Sequence, residues 1–143
     1  AEFTRMMKLP EVTAILIQKM ISGVELFCGA KREGRFGHLV MAGTGGIFIE
    51  VFKDVATSLV PVSEQEAETM IRSLKSYKIM KGARGSKGID EEAFKKVITS
   101  LSGLLAEAPE IFEMDINPLL GSGDSIIAVD AIIRIQGIGM SEG

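Results

Sequence analysis

Two stretches in the last third of the chain constrain its fold most. Ile111-Phe112-Glu113-Met114-Asp115-Ile116-Asn117-Pro118 and Ile126-Ile127-Ala128-Val129-Asp130-Ala131-Ile132-Ile133-Arg134-Ile135 both read as strands, because β-branched and aromatic residues dominate them. The link between them, Leu119-Leu120-Gly121-Ser122-Gly123-Asp124-Ser125, is rich in turn formers, so the pair reads as a β-hairpin. Strand side chains alternate faces. Glu113, Asp115 and Asn117 therefore share one face, and Phe112, Met114 and Ile116 take the other. With the turn centred near Ser122 and Gly123, Asp115 is expected opposite Asp130. Like charges facing each other across a strand pair are unfavourable, and burying them is worse unless something positive sits between them. Convergent carboxylate and amide oxygens are what Mg²⁺ uses. The other reading is a solvated acidic strand face that simply ends at Asn-Pro, and a slip of one residue would send Asp130 to the opposite face.

The remaining composition narrows the class. A chain of 143 residues suits one domain with a real core. The net charge of −3 leaves no electrostatic footprint for nucleic acid. No apolar run approaches the roughly 20 residues of a membrane span; the longest, residues 126–133, is broken by Asp130. Neither nucleic acid nor membrane is therefore an expected partner. Residues 1–11 read as an N-terminal extension, in part a cloning remnant without a signal peptide; residues 12–136 read as the folded unit and 137–143 as a tail. The single cysteine, Cys28, excludes an internal disulfide, which fits a reducing, cytoplasmic compartment, and it reads as a small strand hydrophobe.

Residues 12–20 form a β-rich run, Gly23 breaks it, and residues 24–28 resume as a strand. Residues 29–34 read as a polar turn, 36–41 as a third strand, 42–46 as a turn and 47–52 as a fourth strand. Leu59-Val60-Pro61 reads as a short edge piece. The period then changes. Ser63 and Glu66 make a capping box, and Ala67, Met70, Ile71 and Leu74 follow at helical spacing; Gly82 lies beyond that helix. Asp90-Glu91-Glu92 opens a second helix with acid at its positive end. Phe94, Val97, Ile98, Leu101, Leu104 and Leu105 form its apolar stripe, and Ala108-Pro109 closes it. This order predicts an α+β domain with a mainly antiparallel sheet and two helices.

Four further features bear on chemistry. Gly43-Thr44-Gly45-Gly46 lacks the Gly-Lys-Ser/Thr ending of a P-loop; it is either a tight hairpin turn or a place where backbone N–H groups approach a phosphate. Glu50 is either an exposed edge carboxylate or an oriented polar group in a site. The basic stretch 81–88 is either a solvated loop or a hold for an anionic ligand. His38, the only histidine, has no Ser or Cys that the sequence places beside it, and reads as structural.

Taken together, Ile15-Leu16-Ile17-Gln18-Lys19-Met20, Gly23-Val24-Glu25, Phe36-Gly37-His38-Leu39-Val40-Met41, Gly45-Gly46-Ile47-Phe48-Ile49-Glu50-Val51-Phe52-Lys53-Asp54-Val55, Arg84-Gly85, Glu113-Met114-Asp115-Ile116-Asn117-Pro118 and Ala128-Val129-Asp130-Ala131 resemble one family. They are similar to the C-terminal part of the ATP-grasp domain in ADP-forming (NDP-forming) acyl-CoA synthetases, the acetate–CoA ligase β-subunit type. The resemblance runs from about Val12 to Ile135 and rests most on Gly-Gly-Ile-Phe-Ile-Glu and Asp-Ile-Asn-Pro.

That resemblance implies a domain that holds ATP or ADP with Mg²⁺ between two subdomains. It implies a reversible reaction: acyl-CoA, ADP and phosphate give the acid, CoA and ATP. Phosphate is exchanged with a histidine on an α-type, CoA-binding subunit. Asn117 and Asp130 match the Mg²⁺ ligands of the related succinyl-CoA synthetases, with Asp115 a further or outer ligand. Gln18, Lys19 and Met20 resemble the hinge strand whose backbone contacts adenine, with Glu25 near the ribose. Gly45, Gly46 and Glu50 resemble the turn and strand bordering the phosphates, with Glu50 in the catalytic position. The chain departs from the family where Thr57-Ser58 replace Phe-Arg and where Arg32-Glu33-Gly34-Arg35 lacks an Asp before Phe-Gly. His38 does not match the phosphorylated histidine. By this resemblance the N-terminal ATP-grasp subdomain and the α-type subunit are partners outside the chain. The chain alone is then expected to be inactive, and residues 12–20 are expected to line the cleft and favour self-association. Two other readings stay open: a non-catalytic interaction module, and the equivalent part of a succinyl-CoA synthetase-like β subunit.

Overall fold

A computed structural model describes residues 2–46, 53–82 and 88–136. Three antiparallel strands come first. β1 (Val24–Glu33) and β2 (Gly37–Thr44) are joined by a single 3₁₀ turn, Gly34–Phe36, and β3 (Val55–Leu59) lies along the outer edge of β2. The helices follow: α2 (Glu64–Ser73), the short α3 (Tyr77–Met80) and α4 (Glu91–Glu107), with α1 (Glu2–Met6) standing exposed ahead of the sheet. The chain returns as β4 (Ile111–Ser122), β5 (Ser125–Ala128) and β6 (Ala131–Ile135). The six-stranded sheet runs β3-β2-β1-β4-β5, and β6 also pairs with β4. This is the α+β, antiparallel class the residue pattern predicts, with two long helices.

The helices form where the sequence caps them. Ser63 Oγ accepts the Glu66 N–H at 3.2 Å, and Glu66 Oε2 accepts the Ser63 N–H at 2.8 Å, closing the expected capping box. Asp90 Oδ1 accepts the N–H groups of Glu92 and Ala93 at the start of α4. The apolar faces of both helices cover one face of the sheet. Leu26, Cys28, Ala30, Val40 and Ala42 are wholly buried there, in one core with Ala67, Met70, Ile71, Phe94, Ile98, Leu101 and Leu105. Leu104, read as part of the α4 stripe, is 43% exposed, while Leu101 and Leu105 beside it are buried.

Several boundaries differ from the expectation, for one reason: strands extend wherever a neighbour supplies a ladder. β1 continues through 29–33 and β2 through 42–44, where turns are expected, because each has the other as partner. Residues 12–20 form no strand. Both edges of β1, the strand it leads into, are occupied by β2 and β4, and the run lies exposed, with Leu16 at 80%, Ile17 at 79% and Met20 at 93% exposure. The predicted strand 47–52, with Glu50, and Arg84-Gly85 lie outside the described residues.

Candidate functional site

The acidic strand decides the geometry. β4 does not stop at Pro118; it runs on to Ser122. The hairpin therefore turns at Gly123 and Asp124, one residue later than expected. This moves every partner by two positions, so Asp115 faces Ile132, and the residue opposite Asp130 is Asn117. A shift of two keeps side chains on their original face. The Asn117 N–H donates to the Asp130 carbonyl at 3.2 Å, and the Val129 N–H to the Pro118 carbonyl at 3.0 Å. Val129 and Asp130 sit at the break between β5 and β6, and Asp130 Oδ1 accepts the Ala131 N–H at 2.9 Å.

Met114 and Ile116 pack on the core, so Glu113, Asp115 and Asn117 alternate onto the sheet face that the helices leave open. Glu113 is paired with Arg134 at 2.9 Å. Among the described residues Asp115 has no such partner, and its Oδ1 is buried without a hydrogen bond. Burial, then the charges of Glu113 and Asp130, push its carboxyl above the usual range. An orphaned carboxylate oxygen beside a second carboxylate and an amide fits a hard divalent cation, which would relieve the repulsion and satisfy the oxygen. Among the described residues no three His, Cys, Asp or Glu side chains are grouped to hold a metal by themselves. A cation held here would need the Asn117 amide beside the carboxylates.

Of the other predicted contact residues, the described ones, Gln18, Lys19, Met20, Glu25, Gly45 and Gly46, lie about the Leu120 end of β4. Gln18, Lys19, Met20 and Ile21 line a groove of about 410 Å³ with Leu120, Ala128 and Val129, and Asp130 is the next residue in the chain. Glu25 is paired with Leu120 across β1 and β4. Its carbonyl accepts the Gly45 N–H at 2.7 Å. Gly46 has φ +62°, and a Cβ there would stand 2.6 Å from Glu25 Oε2. The positive φ favours glycine at that position, while the Glu25 carboxylate is the flexible end of its side chain and can yield. Gln18, Lys19, Met20, Glu25, Gly45 and Gly46 are thereby joined, through Leu120 and Val129, to Asn117 and Asp130. The reading of residues 119–125 as turn missed Leu120, and nothing marked Val129 as a wall of the groove; the signal available was the apolar pair Leu119-Leu120 within the turn formers.

Two other candidates resolve as structural. His38 is buried and its Nε2–H donates to the Ile111 carbonyl at 2.6 Å, tying β2 to the start of β4. Cys28 is wholly buried, and burial pushes its thiol up to about 12, so it is inert as a nucleophile.

The sequence matches the ATP-grasp domain family over residues 1–135. The chain belongs to the ATP-grasp domain family. A curated relative within it, the β subunit of ADP-forming acetate–CoA ligase I of Pyrococcus furiosus, is 43% identical over 122 residues, covering 85% of this chain and 53% of that protein. ADP-forming 4-hydroxybutyrate–CoA ligase of Nitrosopumilus maritimus is 42% identical over 127 residues, covering 85% of this chain and 18% of that one. Among solved structures, acetyl-coenzyme A synthetase 1 of Ca. Korarchaeum cryptofilum, in complex with coenzyme A and Mg-AMPPCP and with its phosphohistidine segment pointing towards the nucleotide site, superposes with a TM-score of 0.78. It is 42% identical, over 82% of this chain and 55% of that one. The ATP-grasp chain described here thus spans about half the length of the β subunit it matches, and it shares its fold with the matched part of the Korarchaeum structure. Among the described residues no helix is long and apolar enough to cross a membrane.

Proposed function

We propose that this chain is the C-terminal half of the nucleotide site of an ADP-forming acyl-CoA synthetase of the acetate–CoA ligase type. The reaction is reversible: acyl-CoA, ADP and phosphate give the acid, CoA and ATP. The observation that carries the reading is the convergence at one end of the sheet of the groove beside Gln18, Lys19 and Met20, the Glu25–Gly45–Gly46 turn and the Asp115–Asn117–Asp130 set. The relatives' names supply the chemistry.

In this reading the adenine lies in the groove against Leu120 and Val129, with the Gln18–Met20 backbone along its edge. Glu25 takes the ribose side, and the glycine turn borders the phosphates. Asn117 and Asp130, with Asp115 beside them, hold Mg²⁺, which when bound neutralises charge between the phosphates. Asp115 gains from the cation what no donor among the described residues gives its Oδ1. Glu50, outside the described residues, is proposed as a catalytic group on the strength of the family resemblance alone. The N-terminal ATP-grasp half and an α-type subunit with the CoA site and a phosphorylated histidine complete the enzyme. Without the opposing half, the positioning that lowers the barrier is lost.

A coupled assay with acetyl-CoA, ADP, phosphate and Mg²⁺ is therefore expected to show no turnover by this chain alone. Titration of the same chain with MgADP is expected to shift the amides of Met20, Gly46, Asn117 and Asp130. Turnover near ordinary enzyme rates of ~1–1000 per second, or shifts confined to the α2–α4 side, would overturn the reading.

A further inference from the structure

Behind the glycine turn lies a buried polar cluster that the reading above does not use. Thr44, Asp54 and Ser76 are only 2%, 4% and 2% exposed. Thr44 Oγ1 and Ser76 Oγ are 3.1 Å apart. Asp54 Oδ2 accepts the Ser76 N–H at 2.8 Å, and its Oδ1 accepts the Lys75 N–H at 2.8 Å. Burial acts to raise the Asp54 carboxyl, yet the bonds from Ser76 and Lys75 outweigh it and hold the group below the usual range. Asp54 therefore stays ionised inside the protein. These bonds offset the cost of burying the charge, and an apolar residue of the same size would leave the Lys75 and Ser76 N–H groups without their acceptor, so filling space alone does not account for a carboxylate here.

Its place in the chain does. Thr44 is the last residue of β2 and directly precedes Gly45 and Gly46. Asp54 directly precedes β3 and follows Lys53, which adopts φ +47°. Both ends of the connection between β2 and β3 are thus fastened to one residue, Ser76, which stands ahead of α3. The ends also meet each other: a Cβ on Gly43 would strike the Asp54 carbonyl oxygen. Among the described residues the ladder between β2 and β3 reaches no further than Gly43 and Val55, and just beyond it these side chains hold the two ends together.

We propose that Thr44, Ser76 and Asp54 form a positioning unit, in which Ser76 staples both ends of the β2–β3 connection. The staple holds the Gly45–Gly46 turn in the orientation that receives the phosphates of a nucleoside di- or triphosphate. The proposal rests on the nucleotide reading above and names three residues that act through the turn without touching the ligand. Their role is distinct from capping α3, because a cap would need Asp54 alone, whereas Thr44 bonds to Ser76 on the side of the glycines.

The test uses Thr44→Val, which keeps the shape and removes the hydroxyl, together with Thr44→Ser, which restores it, and Ser76→Ala. Asp54→Asn is avoided as the primary variant because the fold can fail with it. Amide hydrogen exchange is read without ligand. The Gly45 N–H, bonded to the Glu25 carbonyl, is expected to exchange about five- to tenfold faster in Thr44→Val and Ser76→Ala, the loss set by one hydrogen bond. The core amides of Cys28 and Ala30 are expected to be unchanged. MgADP titration of the same proteins is expected to show affinity weakened by a similar factor, with Thr44→Ser close to the wild type. Equal MgADP affinity in wild type and Thr44→Val would overturn this proposal alone. So would faster exchange spread evenly over the core, the mark of a merely structural role. A wild type that shows no MgADP shifts at all would overturn the nucleotide reading, and this proposal's ligand with it.

Discussion

On the helix-covered face of the sheet Leu26, Cys28, Ala30, Val40 and Ala42 have no exposed surface, and the polar groups beside them are paired, as Ser102 Oγ is with the Val62 N–H at 2.8 Å. On the opposite face Ile132 is 57% exposed, Leu59 is 47% exposed, and Asp115 keeps a buried oxygen with no partner. The same strands build both faces, because alternation hands each of them one residue in two. The covered face follows the rules of a core: apolar, filled and hydrogen-bonded. The open face breaks them at Asp115, where repulsion is left uncompensated. Departures of this kind are expected at functional or strained sites.

The contrast can be broken most forcefully from the core. Phe94 is fully buried, and Phe94→Ala is expected to lose about 3–5 kcal/mol, measured by urea unfolding. That is a large part of the ~5–15 kcal/mol of a typical domain. A loss below ~1 kcal/mol would mean that the covered face is not where the stability lies. Next in size is Asp130→Asn. It is expected to weaken Mg²⁺-dependent ADP binding tenfold or more, ~1.4 kcal/mol, while moving stability by less than ~0.5 kcal/mol. Calorimetric titration beside thermal unfolding separates the two; a variant that unfolds but binds as before reverses the assignment of the faces.

Two carboxylates make the comparison in pH. Glu91, at the start of α4, is held at about 2. Burial alone would raise it, but Lys81 and Arg72, each 2.8 Å away, and the Tyr77 hydroxyl at the same distance keep it charged. A depressed carboxylate stabilises fully above its unfolded pKa, about 4.3, and that contribution is lost as pH falls towards 2. Glu91→Gln is therefore expected to flatten the fall in melting temperature over that window. Asp115 has the opposite sign. Its carboxyl is raised, so its contribution is favourable below the unfolded pKa, about 3.9, and is lost as pH rises through the folded value. Asp115→Asn is expected to melt a few degrees higher than the wild type at pH 7 and level with it in acid, and to bind MgADP more weakly. A melting temperature lowered at pH 7 would show that the Asp115 charge is already compensated. The smallest effect belongs to Ser63→Ala. It removes the α2 cap at a cost of about 1 kcal/mol, seen in unfolding, and leaves MgADP affinity unchanged because the cap lies on the helix side.

Much of this was legible because it is local. Ser63 and Glu66 are three residues apart and find each other in any helix that starts there, and Phe94, Ile98, Leu101 and Leu105 repeat at the helical period. The alternation of Glu113, Asp115 and Asn117 against Met114 and Ile116 needs only a strand. Residues 12–20 show the limit. Their β-rich composition is real, but a strand is made by its neighbour, and no edge of the sheet is free beside β1. The partner of Asp130 shows it again: β4 continues past Pro118 because β1 offers Leu26 and Glu25 to Leu119 and Leu120, which moves the turn and brings Asn117, not Asp115, across from Asp130.

The sequence by itself therefore determined the class of fold, the caps, the core stripe of α4 apart from Leu104, and the face on which the acidic residues lie, since periodicity and capping are properties of short segments. Tertiary structure alone decided which strands pair and in what register, that Leu120 and Val129 wall the groove beside Gln18, Lys19 and Met20, and that Thr44 and Asp54 meet on Ser76, 32 and 22 residues away in the chain. Those contacts join residues far apart in sequence, and their partners are chosen by how the sheet and helices pack rather than by anything written in the segments themselves.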